Sequence, residues 1–241
     1  MIPSLQVVPA EFVTYRSWLY DEADKAFLRS LKENSGWGDP VTFLIRRAWV
    51  EDLVPSIKNE RLAIKHGDLH AWNVLADKDC FSGYVLSKSY ILSLRHHAHQ
   101  SRSAIDWDTA KVAPLAAAIQ HPLFLVNIPG WINDAPEGMT FEDDRLYLEK
   151  AVQRQVNSIT LALPDAQCIP ALLSSSSERQ FFEMSLRNRA INVEYISRYI
   201  SDIEVDKRVI FKQLNEILSK NPDARDSAVL ERLCSRFDFE V

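Results

Sequence analysis

The chain has 241 residues, 46% of them hydrophobic and 25% charged, with a formal net charge of −5. That length supports one sizeable core, and the acidic balance excludes a basic footprint for nucleic acid or for an anionic membrane surface. Cys80, Cys168 and Cys234 are odd in number and far apart, which predicts free thiols in a reducing, cytoplasmic setting.

No basic segment followed by an apolar stretch opens the sequence, so no signal peptide is expected. No apolar run approaches the ~20 residues that a membrane span needs. Residues 10–34 carry Phe12, Tyr15, Leu19, Ala23, Phe27 and Leu31 near helical spacing, which predicts a helix. Gly36-Trp37-Gly38-Asp39-Pro40 should end it in a turn. A second helix is expected over 41–57, with Phe43, Leu44, Trp49, Leu53 and Ile57 on it, and Trp37 and Trp49 read as packing residues. Only six glycines occur, and none forms a phosphate-cradling cluster before a helix.

The stretch Leu62-Ala63-Ile64-Lys65-His66-Gly67-Asp68-Leu69-His70-Ala71-Trp72-Asn73-Val74-Leu75 then reads as strand, polar loop, strand. Asp68 and Asn73 are close enough in sequence for a tight loop to aim both at one point. A second carboxylate motif follows at Ala104-Ile105-Asp106-Trp107-Asp108. In phosphoryl transfer one carboxylate accepts the proton of the attacking hydroxyl, while an amide oxygen and a second carboxylate hold magnesium on the phosphates. Two other readings stand beside this one. Asp and Asn side chains bond their own backbone in loops, so the first motif also suits a plain turn. His66, Asp68 and His70 also suggest a metal hydrolase, and His66 and His70 with His96, His97 and His99 a zinc site, although no cysteine or carboxylate stands at a convincing ligand spacing.

His66-Gly67-Asp68-Leu69-His70-Ala71-Trp72-Asn73-Val74-Leu75, followed by Ile105-Asp106-Trp107-Asp108, resembles the aminoglycoside phosphotransferase and choline kinase-like family, in the flavour of its fungal members. The resemblance implies the C-terminal lobe of a protein-kinase-like fold: α+β, mostly helical, with a small β-hairpin at the catalytic and metal loops. It implies Asp68 as catalytic base, Asn73 and Asp106 as Mg²⁺ ligands, and ATP as phosphate donor to a hydroxyl on a small molecule. His66 would be structural beneath the metal-binding Asp. His70 has no assigned role, and Asp108 would assist the second shell of the metal or cap a turn.

Two departures accompany the resemblance. The family's N-terminal lobe, with its glycine-rich loop and phosphate lysine, has no counterpart in the roughly 60 residues before His66, which read as two helices; Lys65 lies in the wrong element to replace that lysine. The likeness therefore covers the C-terminal lobe, and nearly the whole chain, 1–241, belongs to it. The surface that the absent lobe leaves is then a candidate partner site, and a non-catalytic, pseudokinase-like remnant is the alternative function. The interval from Asp68 to Asp106 is also roughly twice as long as kinase-like folds allow. The excess, Tyr84–Ser103, is rich in Ser and His and lacks acidic residues, and is read as an insertion, either a retained intron or a tolerated loop. Without it, Phe81-Ser82-Gly83 joins Ala104-Ile105 as a hairpin.

Beyond Asp108, the apolar strip Leu115–Ile119 and Pro122–Leu125 leads to a turn at Ile128-Pro129-Gly130-Trp131. Thr140-Phe141-Glu142-Asp143 resembles a capping box and predicts a helix to about Leu163, stopped by Pro164. After Pro170 and Ser174–Ser177, one long helix is expected over Glu178–Ile200, with Arg187, Arg189 and Arg198 on a solvated face. Two further helices are expected over about 206–219 and 226–237.

Overall fold

The computed structural model describes residues 14–54, 60–66, 110–131, 140–159, 164–204 and 206–239. The fold is mostly helical, with one two-stranded antiparallel sheet among the described residues. The chain divides into two compact units: the first comprises Met1–Tyr15, Asn59–Ile128 and Ile132–Glu178, the second Arg16–Lys58, Pro129–Trp131 and Arg179–Val241.

In the second unit, α1 (Tyr15–Ser30, entering the unit at Arg16) ends earlier than its apolar spacing suggests. Ser30 Oγ donates back to Phe27 O, and Asn34 adopts a left-handed φ of 56°. α2 (Val41–Leu53) starts where Asp39 Oδ1 accepts from Val41 N at 3.0 Å and stops short of residue 57. Val54 is already extended, as expected of a residue that precedes proline, here Pro55. Arg16 donates to the carbonyls of Glu51 and Val54 and so satisfies the end of α2.

α2 buries two adjacent arginines. Arg47 reaches Asp24 Oδ1 at 2.5 Å and Glu216 Oε2 at 2.7 Å, and also donates to Gln213 Oε1. Burial by itself lowers the proton affinity of Arg47, but Asp24 and Glu216 outweigh it and leave the guanidinium above its ordinary value. Arg46 is fully buried and has no carboxylate among its described partners. Its donors go to Thr42 O and Oγ1, Ser185 O and Oγ, and Asn192 Oδ1 at 2.7 Å, while Phe43 and Tyr195 offer ring faces. Desolvation pulls it down to about 9, so it stays charged at neutral pH.

The long helix expected over Glu178–Ile200 is two helices. α6 (Ser176–Ser185) ends in a tightened turn, and α7 (Arg189–Tyr199) starts afresh. Asn188 is extended and its side chain accepts from Ala190 N and Ile191 N at 3.0 and 3.2 Å, so the N-terminal N–H groups of a new helix are satisfied there. The basic face expected on this stretch is also partly engaged. Arg187, Arg189 and Arg198 are all exposed as expected, but Arg187 also pairs with Glu22 and Glu183, and Arg189 donates to Ser35 O and covers Trp37. α8 (Lys207–Lys220) and α9 (Ala228–Phe237) follow within a residue or two of expectation.

The first unit holds β1 (Leu62–Lys65), β2 (Lys111–Pro114), α3 (Leu115–Ala118), α4 (Glu142–Ile159) and α5 (Cys168–Ser174). Its core joins Leu115, Ile119, Val152, Val156, Ala166, Ile169 and Leu173. α4 starts at Glu142 with Arg145 N on Phe141 O, so Phe141 rather than Thr140 takes the cap position. Glu142, Asp143 and Asp144 fill its first turn, where the helix dipole favours negative charge. It runs to Ile159, and the predicted end at Leu163 lies outside the described residues. Pro170 lies inside α5 but in its first turn, where no intrahelical N–H is lost.

Candidate functional site

Leu62-Ala63-Ile64-Lys65 forms the predicted strand before the catalytic motif. Its partner is Lys111-Val112-Ala113-Pro114, which follows the second carboxylate motif and gives no strong strand signal of its own. The register pairs Leu62 with Pro114, Ala63 with Ala113, Ile64 with Val112 and Lys65 with Lys111. Pro114 cannot donate to the ladder, yet Leu115 N bonds Arg61 O at 2.7 Å and extends the pairing past it. Ala63 and Ala113 share the face that meets the core of the unit, and Lys65 and Lys111 share that face too, since directly opposed residues project to the same side. Lys65 Nζ is held by Gln120 Oε1 at 2.9 Å.

His66 follows β1 directly and is buried. Asp68, His70, Asn73, Asp106 and Asp108 lie outside the described residues, as do His96, His97 and His99, the Tyr84–Ser103 segment and the Phe81–Gly83 arm of the expected hairpin. Among the described residues no group of three or more His, Cys, Asp or Glu is arranged to hold a metal ion. Cys168 is exposed and Cys234 half-buried, and burial pushes the Cys234 thiol up. No described helix is long and apolar enough to cross a membrane.

The sequence gives no warning of a second polar cluster in this unit. His121 follows α3, and its Nε2 meets Glu149 Oε1 of α4 at 3.1 Å. Its Nδ1 meets Ser176 Oγ at the start of α6 at 2.9 Å. A carboxylate only accepts, so Nε2 carries the hydrogen and Nδ1 receives the Ser176 hydroxyl hydrogen in the neutral ring. Desolvation lowers the His121 pKa, Glu149 raises it, and Arg145 lowers it. Ser176 is completely buried and His121 nearly so, which leaves no path for a substrate to the hydroxyl. Serine, histidine and carboxylate therefore form a structural tie here and not a nucleophile with its base.

Comparison with known proteins gives no matching family model, no matching curated protein and no matching solved structure. The site must be read from its own residues.

Proposed function

We propose that the chain carries the catalytic half of a phosphotransferase, a kinase-like C-terminal lobe that moves the γ-phosphate of ATP to a hydroxyl on a small molecule. The observation that supports this is the register of the ribbon. Lys65 opposes Lys111, so the chain leaves β1 toward Asp68 and enters β2 from Asp106 at the same end of the sheet. Asp68 lies three residues beyond Lys65, and Asp106 five residues before Lys111. Extended backbone covers at most about 3.6 Å per residue, so roughly 11 and 18 Å bound their distances from the paired lysines. Two carboxylates tethered this closely to one strand end have the reach to share a divalent cation.

The donor types suit that cation. Asn73 contributes an amide oxygen and Asp106 a carboxylate, the hard oxygen ligands that Mg²⁺ prefers. Held by these two side chains, Mg²⁺ would supply neutralisation of the charge that builds on the transferring phosphate. Asp68 orients the acceptor hydroxyl and takes its proton. His66 is buried directly after β1, where the chain leaves the strand toward Asp68.

A thermal-shift titration with Mg²⁺ and ATP tests the reading. Binding at 100 times the dissociation constant stabilises a fold by about 2.7 kcal/mol, enough to move its melting temperature by several degrees. The shift is expected in the native chain and absent in Asp106→Ala. A flat response in the native chain would instead favour a remnant that keeps the lobe without the chemistry.

A further inference from the structure

We propose that His121 is an acid-released latch that fastens the segment after β2 and α3 to α4 and α6. This inference does not rest on the phosphotransferase reading. In the neutral ring both nitrogens are committed: Nε2–H to Glu149 at 3.1 Å and Nδ1 to the Ser176 hydroxyl at 2.9 Å. The latch joins three elements that are distant in sequence, and His121 and Ser176 are only 3% and 0% exposed.

A proton arriving from solvent has one place to bind, the Nδ1 lone pair. It turns that acceptor into a donor, and the Ser176 hydroxyl must rotate to accept from it. Its own hydrogen is then stranded in a fully buried position with no other described acceptor. Among the described residues, the charged groups that act on the ring are Glu149 and Arg145, both on α4; the start of α6 presents the uncharged Ser176. Glu149 favours the charged ring and Arg145 opposes it, and burial decides against it. The folded-state pKa is thus depressed, so the latch is intact above the ordinary histidine value near 6.5 and weakens as pH falls below it.

Amide hydrogen exchange on the full chain from pH 7.5 to 5.5, corrected for intrinsic rates, reads the opening directly. Protection in residues 115–126, in α4 and at the start of α6 is expected to fall with acid, by less than tenfold per pH unit because one proton is linked. Protection in α8 and α9 stays level. Glu149→Gln extends the fall to more acid pH, since the carboxylate no longer supports the charged ring. His121→Gln flattens it. Ser176→Ala removes the stranded hydroxyl and makes the fall shallower, which decides the matter if His121→Gln does not fold. A native chain whose protection is level across this range, or a Ser176→Ala chain with the native profile, overturns the latch.

Discussion

Lys65 stands directly opposite Lys111, and the two sequence motifs leave the sheet from that pair. Like charges face to face weaken a ribbon. Lys65 is steadied by Gln120, which itself neighbours the latch histidine.

If the motif loops share a cation, paramagnetic Mn²⁺ in place of Mg²⁺ should reveal it without any turnover. The amides of Ile64, Lys65, Lys111 and Val112 should broaden first in an NMR titration. Broadening that starts in the acidic first turn of α4, at Glu142–Asp144, would mean that the ion merely follows surface charge.

Arg46 tests how a buried guanidinium survives without a carboxylate. Arg46→Lys keeps the charge and loses the planar fork that serves Thr42, Ser185 and Asn192, so it should be the most damaging substitution, by roughly 3 kcal/mol or more. Arg46→Met removes the buried charge, fills most of the space and should cost less. Urea midpoints followed by far-UV circular dichroism give the ranking; a lysine variant more stable than the methionine one contradicts it.

Asn188 separates two helices by capping the second. Asn188→Ala should cost about 1 kcal/mol, and Asn188→Asp or Asn188→Ser much less, because both keep an acceptor for Ala190 N and Ile191 N. Equal losses in all three variants would show that the side chain does not act as a cap.

Gly130 has a φ of 80°, and a Cβ on it would lie 2.7 Å from Ala190 O. Gly130→Ala therefore meets both left-handed backbone strain and a clash with the first turn of α7, with a cost of roughly 2–4 kcal/mol. Gly38, at φ 84° with open space around it, should lose only the backbone part, about 1 kcal/mol, in Gly38→Ala. Thermal melts of the two variants side by side separate strain from collision.

Periodicity carried much of the fold. α8 and α9 are legible because their apolar positions recur at helical spacing between clear stops such as Lys220-Asn221-Pro222-Asp223. The single helix expected across Asn188 was illegible as two, since Phe181, Phe182, Ile191 and Tyr195 keep one apolar pattern through the break. Only the local competition of an asparagine side chain for backbone N–H groups ends α6 and starts α7. β2 was hidden for another reason: Lys-Val-Ala-Pro is too short to show alternation, and its strand character comes from pairing with β1 far upstream. His121, Glu149 and Ser176 each look unremarkable in sequence and acquire meaning only when three elements meet. The motif residues are the reverse case, conspicuous in sequence through spacing and residue type alone.

Arg47 on α2 needs Gln213 and Glu216 on α8, and Arg46 needs Ser185 and Asn192. A ribosome releases α2 long before any of them. Until the final third of the chain emerges, two hydrated guanidiniums resist the collapse of α1 and α2, and their apolar faces wait for partners. Translation arrested before Asn192 should therefore yield a nascent chain that chaperones hold, whereas the segment around α4 and α5 is already free to pack.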